Sequence, residues 1–172
     1  MRAFLLPLAF ATTLVLSACA GFQPLYATPG VQPAFAGIAV ATPDGRTGHL
    51  LREQLNDELG AGRDGPVRYR LELAYDETRF PRGLRVDNTA DRYELSLRVD
   101  YTLVDAATGQ TVTNGRVAPA VVFDSADQPY AGVQAGQDAA LRAAGQAARL
   151  IRLDLMRFFA QQSAAGTLPA GG

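Results

Sequence analysis

Two side chains with distinctive chemistry occur once each in this sequence of 172 residues: the thiol of Cys19 and the imidazole of His49. Because there is no second cysteine, Cys19 cannot form an internal disulfide, and an unpaired thiol in an exported protein is a liability unless it is modified. His49 has no neighbouring motif such as H-E-x-x-H, and no G-x-S-x-G or P-loop occurs elsewhere. We interpret His49 as a solvated residue near the start of a helix. We therefore expect no enzymatic activity, no metal and no catalytic site.

The residues before Cys19 predict how its thiol is used. Arg2 is followed by an apolar run from Ala3 to Leu16, which is the layout of a secretory signal and is too short to span a bilayer. The run ends in Leu-Ser-Ala-Cys, which resembles the lipobox of bacterial lipoproteins. That resemblance implies a signal peptide at residues 1–18 and a diacylglyceryl group on Cys19, which becomes the new N-terminus. Several acyl chains on one residue, palmitate among them, would give a permanent anchor. The alternative is an ordinary signal peptide that leaves Cys19 as a free thiol.

The rest of the chain divides into a leader, one domain and a tail. Residues 19–33 contain three prolines and no hydrophobic period, which predicts an extended tether between the lipid and the fold. Residues 34–162 are enough for one domain with its own core. Residues 163–172 are small and polar, and we expect a disordered tail. Every basic residue is arginine and the net charge is −1, so nothing in the charge balance indicates nucleic acid as a partner.

Hydrophobic periodicity predicts six elements in the order β-α-β-β-β-α. Thr47 is expected to cap the first helix, Gly60 to end it, and Pro119 to bend the last strand. The predicted elements are a strand at residues 34–40, a helix at 47–59, alternating strands at 67–76 and 92–103, a return strand at 110–117 with 121–123, and a long helix at 134–161.

Each predicted helix has a single apolar stripe. The shorter one has leucines at positions 51, 55 and 59. The longer one has the apolar positions Leu141, Ala144, Ala148, Ile151, Leu155 and Phe158. Because the alternating strands also have one apolar face, the economical arrangement puts both helices on that face. We predict an α+β fold, with two helices packed on one face of a four-stranded mixed, mostly antiparallel sheet.

The sequence Gly21-Phe22-Gln23-Pro24-Leu25-Tyr26, close behind Cys19, resembles the N-terminal signature of the LptE family of lipopolysaccharide-assembly lipoproteins. The order of predicted elements is similar to that family's plan from Cys19 to about Phe159. The resemblance implies a lipoprotein of the cell outer membrane, anchored on the periplasmic side. It also implies two partners: a large β-barrel of the LptD type, which the lipoprotein plugs and helps to assemble, and lipopolysaccharide. The only cofactor expected is the covalent lipid.

Three arginines between the two alternating strands predicted at 67–76 and 92–103 are the candidates for lipopolysaccharide binding. Arg79, Arg82 and Arg85 are interleaved with Phe80 and Leu84, and a planar guanidinium pairs well with phosphate. The family resemblance places its basic position nearest to Arg85. It places a second one near the start of the long helix, around Val133, which is not basic. The alternative is a solvated hairpin whose charges protect a sheet edge. Replacing the three arginines together with alanine is expected to weaken lipopolysaccharide binding and to leave the fold intact.

Other functions remain open from the sequence. An auxiliary lipoprotein of an ABC-type intermembrane lipid transporter, or a scaffold lipoprotein of the envelope, would also combine a lipobox with a small α/β domain. An enzyme is the third possibility, and its activity would have to depend on His49 or on an acidic pair such as Asp76 and Glu77. Copurification of a β-barrel from solubilised membranes would separate these alternatives.

Overall fold

The structure is a computed structural model that describes residues 35–60, 66–84, 90–124 and 129–165. Cys19 and Arg85 lie outside the described residues, as do the signal peptide at 1–18 and the leader at 19–33. The lipidation and tether therefore stay predictions.

The described residues form five strands and two helices, and the predicted order of elements is confirmed. The elements are β1 (Ile38–Ala41), α1 (Arg46–Leu59), β2 (Tyr69–Leu84), β3 (Ala90–Asp105), β4 (Thr111–Val117), β5 (Ala120–Asp124) and α2 (Pro129–Ala164). The sheet runs β1-β2-β3-β4, and β5 also pairs with β3. β1 lies parallel to β2, whereas β2, β4 and β5 all run antiparallel to their β3 partner. The sheet is therefore mixed and mostly antiparallel, as predicted.

The fifth strand comes from the predicted interruption at Pro119. β4 pairs with the second half of β3, ending at Val117 opposite Val99, and β5 pairs with the first half from Ala120 opposite Ser96. Between them the N–H of Leu97 donates to the Pro119 carbonyl at 3.0 Å. Because proline has no N–H to return that bond, the single return strand is divided into two.

Both helices pack on the face of the sheet that holds the alternating apolar side chains, and α1 confirms its predicted stripe. Leu51 and Leu55 are fully buried and Leu59 nearly so. Gly60 takes the left-handed conformation, with φ of 63°, that ends many helices. The prediction that Thr47 caps α1 is wrong. Gly45 occupies the N-cap, and the Thr47 hydroxyl bonds to Glu77 of β2 instead.

The long helix α2 is longer than predicted and turned slightly about its axis. It begins at Pro129, which suits the first helical turn, and it continues through Ser163, whose hydroxyl donates to the Phe159 carbonyl. Two assignments of the predicted stripe are wrong: Leu141 is 43% exposed, and Phe159 rather than Phe158 is fully buried. The other four stripe positions, Ala144, Ala148, Ile151 and Leu155, are buried as predicted. The rest of the buried face consists of Ala139, Ala140, Ala143, Ala147, Met156 and Phe159.

The β2–β3 hairpin is longer than its hydrophobic alternation predicts. Val67, the predicted first residue, is exposed and precedes β2, while β2 continues eight residues beyond position 76. Its far end pairs with the start of β3, with Leu84 opposite Ala90.

No helix among the described residues combines the length and apolar character that a membrane span requires.

Candidate functional site

The predicted ligand loop is mostly β-strand, and it does not hold its arginines together. Arg79 and Arg82 both lie in β2, and Arg85 is outside the described residues. Arg79 is opposite the buried Leu95 of β3, which puts it on the face that carries the helices. Arg82 lies at a register shift between Pro81 and Gly83 and bonds to Glu94 on the opposite face.

On the open face, Arg82 is engaged by a single carboxylate. Its Nε and Nη2 donate to the two oxygens of Glu94 at 3.1 and 2.7 Å. The hydrogen bond with Glu94 raises the pKa of Arg82 above its ordinary value. Phe80, 46% exposed, lies directly opposite Glu94. This bidentate pair joins β2 to β3 across the hairpin on the face opposite the helices.

On the helix side, Arg79 belongs to a polar group that links three elements. Arg79 Nη2 lies 3.0 Å from Glu77 Oε1, and the other oxygen of Glu77 accepts a bond of 2.7 Å from the Thr47 hydroxyl. The Arg79 guanidinium reaches α2 at Gly136, where an added Cβ would lie 3.4 Å from Nη1. The guanidinium of Arg79 therefore lies within van der Waals contact of α2.

These residues line a cavity of about 270 Å³, which we call the arginine cavity. Arg46, the first residue of α1, contributes a second guanidinium. The cavity is lined by Arg46, Thr47, Glu77, Arg79, Val133, Gln137 and Ala140. The lining holds two arginines and one glutamate, and the first turn of α1, which has no side-chain cap, adds its partial positive charge. Such an arrangement suits a phosphate-sized anion.

Arg46 was not among the residues predicted from the sequence. The family resemblance places a basic residue near Val133, and the structure puts Val133 itself in the arginine cavity. The second positive charge is supplied from a different element, the start of α1. Only the packing of α1 against β2 and α2 brings Arg46 to this place, and no spacing in the sequence reports it.

The candidates for catalysis do not come together. His49 is exposed on α1 and does not line the arginine cavity. Asp76 and Glu77 are consecutive in β2 and so point to opposite faces, Asp76 accepting from Thr78 at 3.2 Å and Glu77 accepting from Thr47. They are not a paired acid and base.

Comparison with known families and structures gives the relatives of this chain. The family model for LptE, described as lipopolysaccharide-assembly, matches residues 35–155. A crystal structure of a Caulobacter crescentus CB15 protein described as a lipoprotein is 46% identical, with a TM-score of 0.67, over 82% of this chain and 99% of that one. The solution structure of lipoprotein B from Nitrosomonas europaea is 14% identical, with a TM-score of 0.53, over 74% and 84%, and shares the fold. No curated protein matches the chain.

Proposed function

This chain belongs to the LptE family of lipopolysaccharide-assembly proteins, and from that premise we propose that it is a lipoprotein of the outer membrane that binds lipopolysaccharide during its insertion. In this proposal Cys19 carries the lipid and holds the domain on the periplasmic side. The domain associates with a β-barrel of the LptD type as plug and assembly partner. It acts by binding, without catalysis and without a cofactor beyond its own lipid.

The arginine cavity is the observation that supports lipopolysaccharide binding. The phosphate groups of lipid A are dianionic acceptors, and a guanidinium can bind two oxygens of one phosphate at once. Arg46 and Arg79 come from different elements, so their separation is fixed by packing and not by a flexible loop. Glu77 holds Arg79 through one oxygen and Thr47 through the other, which orients the site before a ligand arrives.

The positions of the two ends of α2 support the same proposal. Phe35, the first described residue, packs edge-on against Phe159 near the C-terminal end of α2, with ring centroids 5.9 Å apart. The arginine cavity lies near the other end of α2, at Gln137. A rise of 1.5 Å per residue puts about 30 Å between these two points. The described part of the domain therefore begins at one end of α2, and the arginine cavity lies at the other.

Lipopolysaccharide binding is tested by comparing two variants of the purified full chain. Arg46→Ala combined with Arg79→Ala is expected to weaken the binding of purified lipopolysaccharide at least about tenfold, because charge-assisted hydrogen bonds to phosphate are lost. Arg82→Ala removes an arginine of similar exposure on the opposite face and is the matched control, expected to bind within about twofold of the unmodified chain. Circular dichroism checks that both variants fold. Equal binding by the double variant would exclude the arginine cavity.

The barrel association is tested by affinity purification from solubilised membranes. A β-barrel of the LptD type is expected to copurify with the tagged chain. Recovery of the chain alone would contradict the proposal. Recovery with an inner-membrane ABC-type complex would favour the alternative role as an auxiliary lipoprotein of a lipid transporter.

A further inference from the structure

The arginine cavity contains a negative charge of its own. Glu77 of β2 lines the cavity together with Arg46 and Arg79. It is opposite the buried Leu97 of β3, so its side chain lies on the face that carries the helices. A carboxylate beside a bound anion repels that anion. Glu77 therefore opposes the binding that the two arginines favour.

The hydrogen bonds of Glu77 do not by themselves require this charge. One of its oxygens accepts from the Thr47 hydroxyl at 2.7 Å, and the other accepts from Nη2 of Arg79 at 3.0 Å. A glutamine at position 77 would have the same shape, and its amide could accept from Arg79 and donate to the hydroxyl oxygen of Thr47. The charge of Glu77 thus has a consequence beyond the positioning of Arg79.

The two arginines of the cavity differ in how far they are engaged. Arg46 makes no hydrogen bond or ion pair with any residue that the structure describes. Arg79 has Glu77 at Nη2 and α2 beside Nη1. A guanidinium binds two oxygens of a phosphate through Nε with Nη2 or through Nη1 with Nη2, and both forks include Nη2. A phosphate that binds Arg79 in this way must share Nη2 with Glu77 or displace it.

We propose that Glu77 is a built-in competitor for Arg79, which weakens the binding of the ligand phosphate and speeds its release. The phosphate meets the free guanidinium of Arg46 first and reaches Arg79 against the repulsion of Glu77. When the phosphate leaves, Glu77 takes up Arg79 again. Such a site suits a chain that passes its ligand on, because the ligand must be able to leave. This inference rests on the proposed function, because the ligand is taken to be lipopolysaccharide.

The substitution Glu77→Gln in the purified full chain tests the competition. We expect it to bind purified lipopolysaccharide about tenfold more tightly, because it removes the like charge and keeps the shape. With the chain immobilised and the ligand washed away, the gain should appear mainly as slower dissociation.

Glu94→Gln is the matched control. Glu94 also binds an arginine, Arg82, and the side chains of Glu94 and Glu77 are 21% and 20% exposed. Because Glu94 lies on the opposite face of the sheet, its substitution should leave the affinity within about twofold of the unmodified chain. Circular dichroism checks that both variants fold.

The salt dependence of binding separates a charge effect from a change of shape. Because salt screens repulsion between charges, the gain from Glu77→Gln should shrink as the salt concentration rises from about 0.05 M to about 0.5 M. A gain that stays constant over this range would indicate altered packing and would contradict the competition.

The outcomes distinguish this inference from the proposed function. If the unmodified chain does not bind lipopolysaccharide, or if Arg46→Ala combined with Arg79→Ala binds it equally well, the proposed site fails and the inference with it. If both of those results are as expected and Glu77→Gln binds no more tightly than the unmodified chain, the inference alone is overturned. Glu77 would then only position Arg79.

Discussion

Glu77 binds two side chains, those of Thr47 and Arg79, whose positions differ from the ones that the sequence predicts. A threonine just before a leucine stripe is a good candidate for an N-cap, and an arginine between two strands is a good candidate for a loop residue. Both side chains are instead held by Glu77, which accepts from Thr47 at 2.7 Å and contacts Arg79 at 3.0 Å. One carboxylate therefore fixes the start of α1 against β2 and gives Arg79 its direction.

Gly115 of β4 makes room for the ring of Tyr101. A Cβ at this position would overlap the phenol ring, which crosses β4 so that its hydroxyl reaches Asp154 of α2 at 3.2 Å. We expect Gly115→Ala to lower the free energy of unfolding by about 1–3 kcal/mol, since the ring would have to leave its position. Urea denaturation measures the change. Asn114→Ala, at the exposed neighbour, is the control and should stay within about 0.5 kcal/mol of the unmodified chain.

Tyr101 also makes the free energy of unfolding depend on pH in the alkaline range. Burial and the nearby Asp154 carboxylate raise the pKa of Tyr101 from 10.0 to about 12. The folded state thus keeps its proton where the unfolded state loses it, so this contribution to stability is complete below about pH 10 and is lost between about pH 10 and 12. The fall should reach about 2–3 kcal/mol. Urea denaturation across this range should show a smaller fall for Tyr101→Phe, and an equal fall would contradict the assignment.

The C-terminal half of α2 supplies the aromatic end of the core. Phe159 is fully buried, with ring centroids 5.9 Å from Phe35, 5.7 Å from Tyr69 and 5.4 Å from Phe158. We expect Phe159→Ala to lower the free energy of unfolding by about 3–5 kcal/mol, because it leaves a cavity between α2, β2 and Phe35. Phe158→Ala changes the same residue type at a half-buried position and should cost clearly less. Denaturant midpoints for the two variants decide, and a larger loss at 158 would be inconsistent with the packing described.

The elements were predictable where side chains alternate or repeat cleanly. The leucine spacing predicts α1, and the alternation from Tyr69 to Tyr75 predicts the first half of β2. Pro119 predicts the break between β4 and β5. The second half of β2 has no such pattern, since charged, aromatic and proline residues follow one another there. Its strand conformation comes from pairing with β3 over a long register, which one segment of sequence does not reveal.

The buried face of α2 was predicted in part, since Ala144, Ala148, Ile151 and Leu155 are buried, but its exact centre could not be chosen from the helix's own residues. Alanine occurs all round this helix, so a stripe through Leu141 and Phe158 and a stripe through Ala140 and Phe159 are similar in period. The close approach of α2 to α1 and the sheet selects the alanines, because small side chains allow that approach. Leu141 is left exposed beside a groove at β5.

The candidate site depends on the whole molecule, and that is why only Arg79 of its two arginines was predicted. Arg46 and Arg79 are separated by a helix and most of a strand in the sequence, and they meet because α1 begins beside β2. Arg82, only three residues from Arg79, lies on the opposite face. Proximity in sequence does not place Arg79 and Arg82 together, and the register shift after Pro81 leaves them on opposite faces of the sheet.

In the proposed arrangement the anchor and the ligand site are independent, because the two ends of α2 are far apart. Phe35 enters the domain beside Phe159, and the arginine cavity lies about 30 Å away along the helix. In cells that lack the barrel, where plugging cannot retain the chain, we therefore expect Cys19→Ala to release it from the membrane fraction, because the proposed acyl chains supply the anchor. The same variant, purified in detergent, should bind lipopolysaccharide with an affinity within about twofold of the unmodified chain, because no residue of the cavity is altered.

Membrane fractionation and a binding titration on the same preparation give both results for Cys19→Ala. The double variant Arg46→Ala with Arg79→Ala is the reciprocal control, since it should stay with the membrane and lose the ligand. A Cys19→Ala chain that stays in the membrane would show that another part of the protein holds it there. A chain that is released and also loses affinity would show that the lipid takes part in the ligand site, which a cavity at the far end of α2 does not allow.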